Sequence, residues 1–296
     1  MAVVNTNISA SLAQASLARN ERALSKAMEQ LSTGRKINTA ADDAAGSAIS
    51  TRMSSQIIGL EQSVQNAHDA ISMIQTAESA LDEMTNMLLR MRELALQASN
   101  GTGSVADRDY LQDEFSRLKE EIDRIANNTE WNGRAVLNGN AGGTGVQNVS
   151  FQVGGNAGQT ISVDFGNLVG GGLAAGASGV AVASGGVALS AIAISGATTA
   201  AAQTAASAAM TGIDLAIENV SNQRASFGAT VNQLTHAIDN LTQVSINAES
   251  TKSRIMDTDY AKATSELARA QIIQQAGTAM LAQANQLPRS VLDLLQ

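Results

Sequence analysis

The two ends of this chain are uncharged over long stretches, Met1 to Ala18 and Ala270 to Pro288, and both repeat apolar residues every seven positions. Ala10, Leu17, Leu24 and Leu31 mark one seam; Ile273, Met280, Leu287 and Leu294 mark the other. Seven-residue spacing is the period of helices packed as a coiled coil. The remaining faces carry Gln, Asn, Ser and Ala where a solvated helix would carry Lys and Glu. More than one neighbour is therefore expected for each helix. Neither end is a membrane span, because polar residues interrupt the roughly 20 apolar residues a bilayer needs. They must bury against protein, and Leu17, Leu24, Leu31, Ile273, Met280, Leu287 and Leu294 are the candidate assembly contacts.

The rest of the composition agrees with long helices. Only four Phe, two Tyr and one Trp stand among 296 residues, so Ala, Leu, Ile and Met must do the packing. A single proline leaves the helices uninterrupted. The expected fold is mostly α: an elongated long-helix bundle with paired N- and C-terminal coiled-coil helices and a small β-hairpin region. The net charge of -8 is unevenly placed, since residues 1–45 and 252–296 each hold five basic and four acidic side chains. Near-neutral ends and an acidic middle suggest hidden ends and a solvated middle, and make nucleic acid a poor partner. There is no cysteine, hence no disulfide or thiol chemistry. No secretory signal is legible, and patterning alone leaves the chain cytoplasmic.

Along the chain, a helix is expected from Ser9 to Leu31, closed at Gly34 by a left-handed cap. A polar joint, Arg35 to Gly46, leads to a second helix whose apolar residues run from Ile57 to Ala95. Asn100-Gly101-Thr102-Gly103 breaks it, and Ser104 with Asp107 forms a capping box for a third, antiparallel helix. Trp131-Asn132-Gly133 marks a turn, and from Val149 the period falls to two, the signature of a hairpin. A further helix with heptads from Ile213 to Leu241 must return to the same core, bringing both termini to one end. Five segments follow: 1–45, the N-terminal half of a helical terminal domain; 46–165, the first part of the bundle with its hairpin; 166–205, a short low-complexity region; 206–251, the last bundle helix; and 252–296, the C-terminal half of the terminal domain.

No catalytic, cofactor or metal site is expected. His68 and His236, the only histidines, stand outside any metal-ligand spacing. Asp42-Asp43 and Asp257-x-Asp259 sit at joints, where carboxylates cap helices. Gly154 to Thr160 lacks the Lys-Ser/Thr pair of a phosphate loop and reads as a hairpin turn. Arg90, Arg92 and Glu93, with Glu114 on the next helix, form a charged face that is either a solvated stripe or a contact surface.

Several longer runs together resemble bacterial flagellin: LSTGRKINTAADDAAGSAIS (Leu31 to Ser50), RMRELALQAS (Arg90 to Ser99), SRIMDTDYAKATSELARAQIIQQAGTAMLAQANQLP (Ser253 to Pro288) and VLDLL (Val291 to Leu295). The resemblance covers nearly the whole chain apart from 166–205. It implies a structural, non-enzymatic subunit that polymerises with itself into the flagellar filament, with paired terminal helices lining an inner tube. It also reverses the compartment expectation to extracellular, by unfolded passage through the flagellar type III channel. Implied partners are the filament cap, the hook-filament junction proteins, an export chaperone and the host Toll-like receptor that senses flagellin, for which Arg90, Leu94 and Glu114 match contact positions. The short middle region implies a thin filament, and no His-Glu-x-x-His is present for the zinc protease some flagellins carry. The alternative is a hook-filament junction adaptor with flagellin-like ends.

Overall fold

The computed structural model describes residues 7–169, 192–196 and 198–293, with side chains through residue 286. Leu294, the side chain of Leu287 and most of the 166–205 segment lie outside the described residues. The chain divides into two compact units, one from residues 1–57 and 245–296, the other from residues 58–244. Helices α2 (Ala44–Ser99) and α4 (Thr199–Met256) supply residues to both.

In the central unit, α2 is followed by α3 (Val105–Asn128), two small hairpins and α4. The breaker at Asn100 turns the chain, and the capping box forms as expected. Ser104 Oγ accepts the Asp107 N–H at 3.1 Å while Asp107 Oδ2 accepts the Ser104 N–H at 3.0 Å. Two of the donors left over at the helix start are thus satisfied reciprocally. The matching problem at the end of α2 is solved by Arg108, which is buried and donates to the Ala98 and Asn100 carbonyls at 3.0 and 2.8 Å. Together with Arg90–Glu114, this contact makes α2 and α3 antiparallel. Ion pairs Arg92–Asp214 and Arg224–Asp82 make α4 antiparallel to α2 as well.

The core between these helices is built from Met84, Leu88, Met91 and Leu94 of α2, Phe115 and Ile122 of α3, and Ile213, Val220, Phe227 and Leu234 of α4. Flexible Met side chains fill irregular gaps in a chain with few aromatics. The first hairpin pairs β1 (Glu130–Trp131) with β2 (Arg134–Ala135) through Asn132 and Gly133, both at positive φ, 51° and 75°. Asn-Gly is the dipeptide that such a two-residue turn selects. The second pairs β3 (Asn148–Gln152) with β4 (Thr160–Asp164), with Val149 opposite Val163. It is tied to the helices by Asn66 donating to the Gln152 carbonyl, Gln223 donating to the Asp164 carbonyl, and Phe165 packed against Phe227 with the rings tilted by 54° and their centroids 5.3 Å apart.

The terminal unit contains α1 (Ile8–Thr33) and α5 (Tyr260–Asp293). Gly34 ends α1 at φ 70°, its N–H bonded to the Gln30 carbonyl. Backbone bonds from Lys36 to Met256 and from Thr258 to Gly34, at 2.6 and 3.0 Å, tie the two joints together. Two of the four joint acids act as caps: Asp43 accepts from the Gly46 N–H at the start of α2, and Asp259 from the Ala261 and Lys262 N–H groups at the start of α5, while Asp257 accepts from the Ser253 hydroxyl at 2.6 Å. Asp42 instead gathers the loop, accepting from Lys26, from the Asn38 and Thr39 N–H groups and from the Thr39 hydroxyl.

The Lys26 ammonium, followed by the Thr39 N–H, holds the Asp42 carboxyl well below the usual carboxylate range. A depressed folded pKa contributes stability that is whole above the unfolded value of about 4 and is lost as pH falls towards the folded value. Thermal melting of assembled protein followed from about pH 5 to about pH 3 should therefore weaken more steeply with falling pH in the wild type than in Asp42→Asn. Parallel profiles would show that this carboxylate does not tie the joint.

Candidate assembly surface

Along α1 the residues turned inward are Ala10, Ala13, Leu17, Asn20, Leu24, Ala27 and Leu31, alternating three and four apart. Their partners on α5 are Ala263, Leu267, Ala270, Gln274, Gly277, Leu281 and Ala284. Leu17, Leu24 and Leu31 thus lie on the α1 seam and are half-buried. The helices run antiparallel, because Asn20 donates to the Ala270 carbonyl at 2.7 Å and Asn7 to the Ala284 carbonyl at 2.8 Å. Side-chain amides reach a backbone carbonyl only where the facing residue is small. At Gly277 the approach is tighter still: a Cβ there would fall 2.6 Å from Leu17 Cδ1.

Ile273 and Met280 stand one place off the α5 seam, at 47% and 66% exposure. They join Leu12, Ala13, Leu17 and Gly277 in an apolar groove of about 360 Å³ along the outside of the pair. Ile8, Leu12 and Ile272 are also largely exposed. Sequence reasoning placed the α5 seam on Ile273 and Met280 because they carry the hydrophobic signal. The residues that face α1 are Ala, Gly and Gln, which carry almost none; the signal available was the small-residue repeat Ala263, Ala270, Gly277, Ala284.

A second surface lies on the central unit. Arg90 Nε donates to Glu114 at 2.9 Å and Arg90 Nη1 to Glu93 at 3.0 Å, all three exposed to solvent. The hydrogen bond to Glu114, then that to Glu93, raises the Arg90 pKa further and keeps the guanidinium charged. Arg92 belongs to a cross-helix pair with Asp214 at 2.6 Å, which its sequence context did not reveal. Leu94 does not join this face. It is 1% exposed and packed in the core, so its side chain is not available on the surface where the sequence reading had it.

His68 and His236 are exposed and far from each other in sequence, and no cluster of metal-ligating side chains occurs among the described residues. No described helix is long and apolar enough to cross a membrane.

Comparison with known proteins places these surfaces in a family. Residues 4–142 match the bacterial flagellin N-terminal helical region and residues 210–295 the bacterial flagellin C-terminal helical region. Flagellin of Bacillus subtilis is 44% identical over 99% of this chain and 99% of its own, and flagellin of Halalkalibacterium halodurans 42% identical over 99% and 100%. Among solved structures, a Vibrio parahaemolyticus chain described as flagellar hook-associated superposes with a TM-score of 0.57 over 73% of this chain and all of its own. At 17% identity that is a likeness of fold alone. Matched from end to end by flagellins at more than two-fifths identity, this chain belongs to the bacterial flagellin family and is a structural subunit of the flagellar filament.

Proposed function

We propose that the chain polymerises with itself through the outer face of the α1/α5 pair, each copy seating apolar side chains of a neighbour in the groove between Leu12 and Met280. The observation that carries this is the groove itself. A helix pair whose buried seam is largely Ala leaves Ile8, Leu12, Ile272, Ile273 and Met280 in water. Burying one such side chain contributes about 1.5–3 kcal/mol, and repetition along a polymer adds these contributions copy by copy. On this reading Leu17, Leu24 and Leu31 hold the pair together while Ile273 and Met280 face the neighbour; Leu287 and Leu294 are proposed to continue the same surface. The polymer is extracellular and reaches its place through the flagellar type III channel, aided by an export chaperone. The cap and hook-filament junction proteins meet its two ends. A junction adaptor is the less supported reading, since the likeness to flagellins extends through the bundle rather than resting on the termini.

The receptor reading rests on Arg90 and Glu114 alone. Their paired, half-exposed charges offer a host Toll-like receptor an oriented hydrogen-bonding site. Leu94 contributes from beneath, by fixing the helix that carries Arg90.

Leu12→Asp and Ile273→Asp each place an unpaired carboxylate in the groove. Each variant should fail to sediment as polymer at concentrations where the wild type does, while the central unit melts as before; normal filaments from both would exclude this groove as the contact. Arg90→Ala with Glu114→Ala should lower receptor activation by folded monomer with little change in melting, because exposed ion pairs contribute only about 0–1 kcal/mol. Equal potency at matched concentration would leave these residues a subunit-contact or solvated role.

A further inference from the structure

The groove is a composite of two helices, with Leu12, Ala13 and Leu17 from α1 and Ile273, Gly277 and Met280 from α5. Its shape therefore depends on how far α1 and α5 have slid past each other. Most of the seam is a poor ruler of that position. On α5, small residues recur at 263, 270, 277 and 284, with Leu267, Gln274 and Leu281 between them. A slip of one heptad sets small against large almost as before. The Asn20 and Asn7 amides exclude a slip of half a heptad, which would put a long side chain between each amide and the backbone carbonyl it reaches. They do not exclude a full heptad, because a carbonyl behind a small residue recurs at every seventh place.

Gly277 alone breaks the repeat. Leu17 Cδ1 occupies the space its Cβ would take, 2.6 Å away, and that is far inside the roughly 4 Å at which apolar atoms touch. A one-heptad slip would set Leu17 against the methyl of Ala270 or Ala284. The groove would change too: in one direction Glu266 would replace Ile273 in its wall.

We propose that Leu17 seated on Gly277 is the register key of the terminal helix pair, locked by the Asn20 and Asn7 amides, and that it sets the composite groove into which a second copy fits. This rests on the assembly reading above. Both residues act as positioning residues, through the groove rather than as the whole of the contact. A methyl added at 277 must displace Leu17 Cδ1, the far end of a flexible side chain, and the rotation that frees it carries Leu17 into the groove and narrows the neighbour's seat.

Helix propensity makes the opposite forecast, which renders the test decisive. Ala is a better helix former than Gly, so propensity alone predicts that Gly277→Ala assembles at lower concentration than wild type. The register key predicts that Gly277→Ala raises the critical concentration about tenfold, the effect of overpacking a seam by a methyl group. Leu17→Val in the same chain, which withdraws the Cδ atoms but keeps a branched apolar side chain in the seam, should restore most of the loss. Register is read directly by Ala27→Cys with Ala263→Cys, two buried residues of the facing seams, in a chain with no cysteine of its own and with both amide locks left in place. The intramolecular disulfide should form in pelleted polymer of otherwise wild-type chain, fall in yield with Gly277→Ala, and return when Leu17→Val is added. Wild-type-like assembly of Gly277→Ala with the disulfide intact would overturn the proposal, as would failure of Leu17→Val to restore it. If the chain with native Leu17 and Gly277 did not polymerise at all, the assembly reading itself would fall, and the register key with it.

Discussion

Close approach of α1 and α5 is what leaves the terminal unit short of buried surface. Ala263, Ala270 and Ala284 on one helix, with Ala27 and Asn20 on the other, are the buried side chains of the seam. A buried methyl or methylene contributes about 0.8 kcal/mol, whereas ordering the backbone of one residue costs about 1–2 kcal/mol. Helices of 26 and 34 residues whose seam sets buried Ala and Asn beside only half-buried Leu17, Leu24, Leu31, Leu267 and Leu281 are marginal in isolation. The larger apolar side chains that would make up the difference, Leu12, Ile272, Ile273 and Met280, point away from the seam. On the proposed assembly, neighbouring copies complete the core that a single chain lacks.

The central unit follows the opposite rule. There, Phe115, Phe165, Phe227, Met84, Leu88 and Met91 are fully buried within one chain, and the polar loose ends are met locally by Ser104, Arg108 and Gln223. One polypeptide thus combines a bundle with its own internal core and a pair of helices whose larger apolar side chains stay in water.

Much of this was legible from residue types whose local chemistry is unambiguous. Gly34 closes α1, Ser104 and Asp107 open α3, Asp43 and Asp259 cap helices, and period-two alternation around Val149 and Val163 gives the hairpin. What the sequence hid has a common physical cause. The inward face of α5 is made of Ala, Gly and Gln, so hydrophobic periodicity pointed instead at Ile273 and Met280, one residue away. Leu94 entered by likeness to a motif, not by periodicity; its place between Met91 and Ala98 on the buried face of α2 follows from helical geometry. Pairs such as Arg92–Asp214 join residues 122 apart, and no local pattern announces them.

The claim that the terminal pair is completed by its neighbours is tested most directly by amide hydrogen exchange on monomer and on polymer, resolved by segment. In dilute monomer, amides of α1 and α5 should exchange with little protection while those around Leu88, Phe115 and Val220 are strongly protected. On polymerisation, protection should rise chiefly in α1 and α5. Strong protection of both terminal helices already in the monomer, unchanged by polymerisation, would contradict the account.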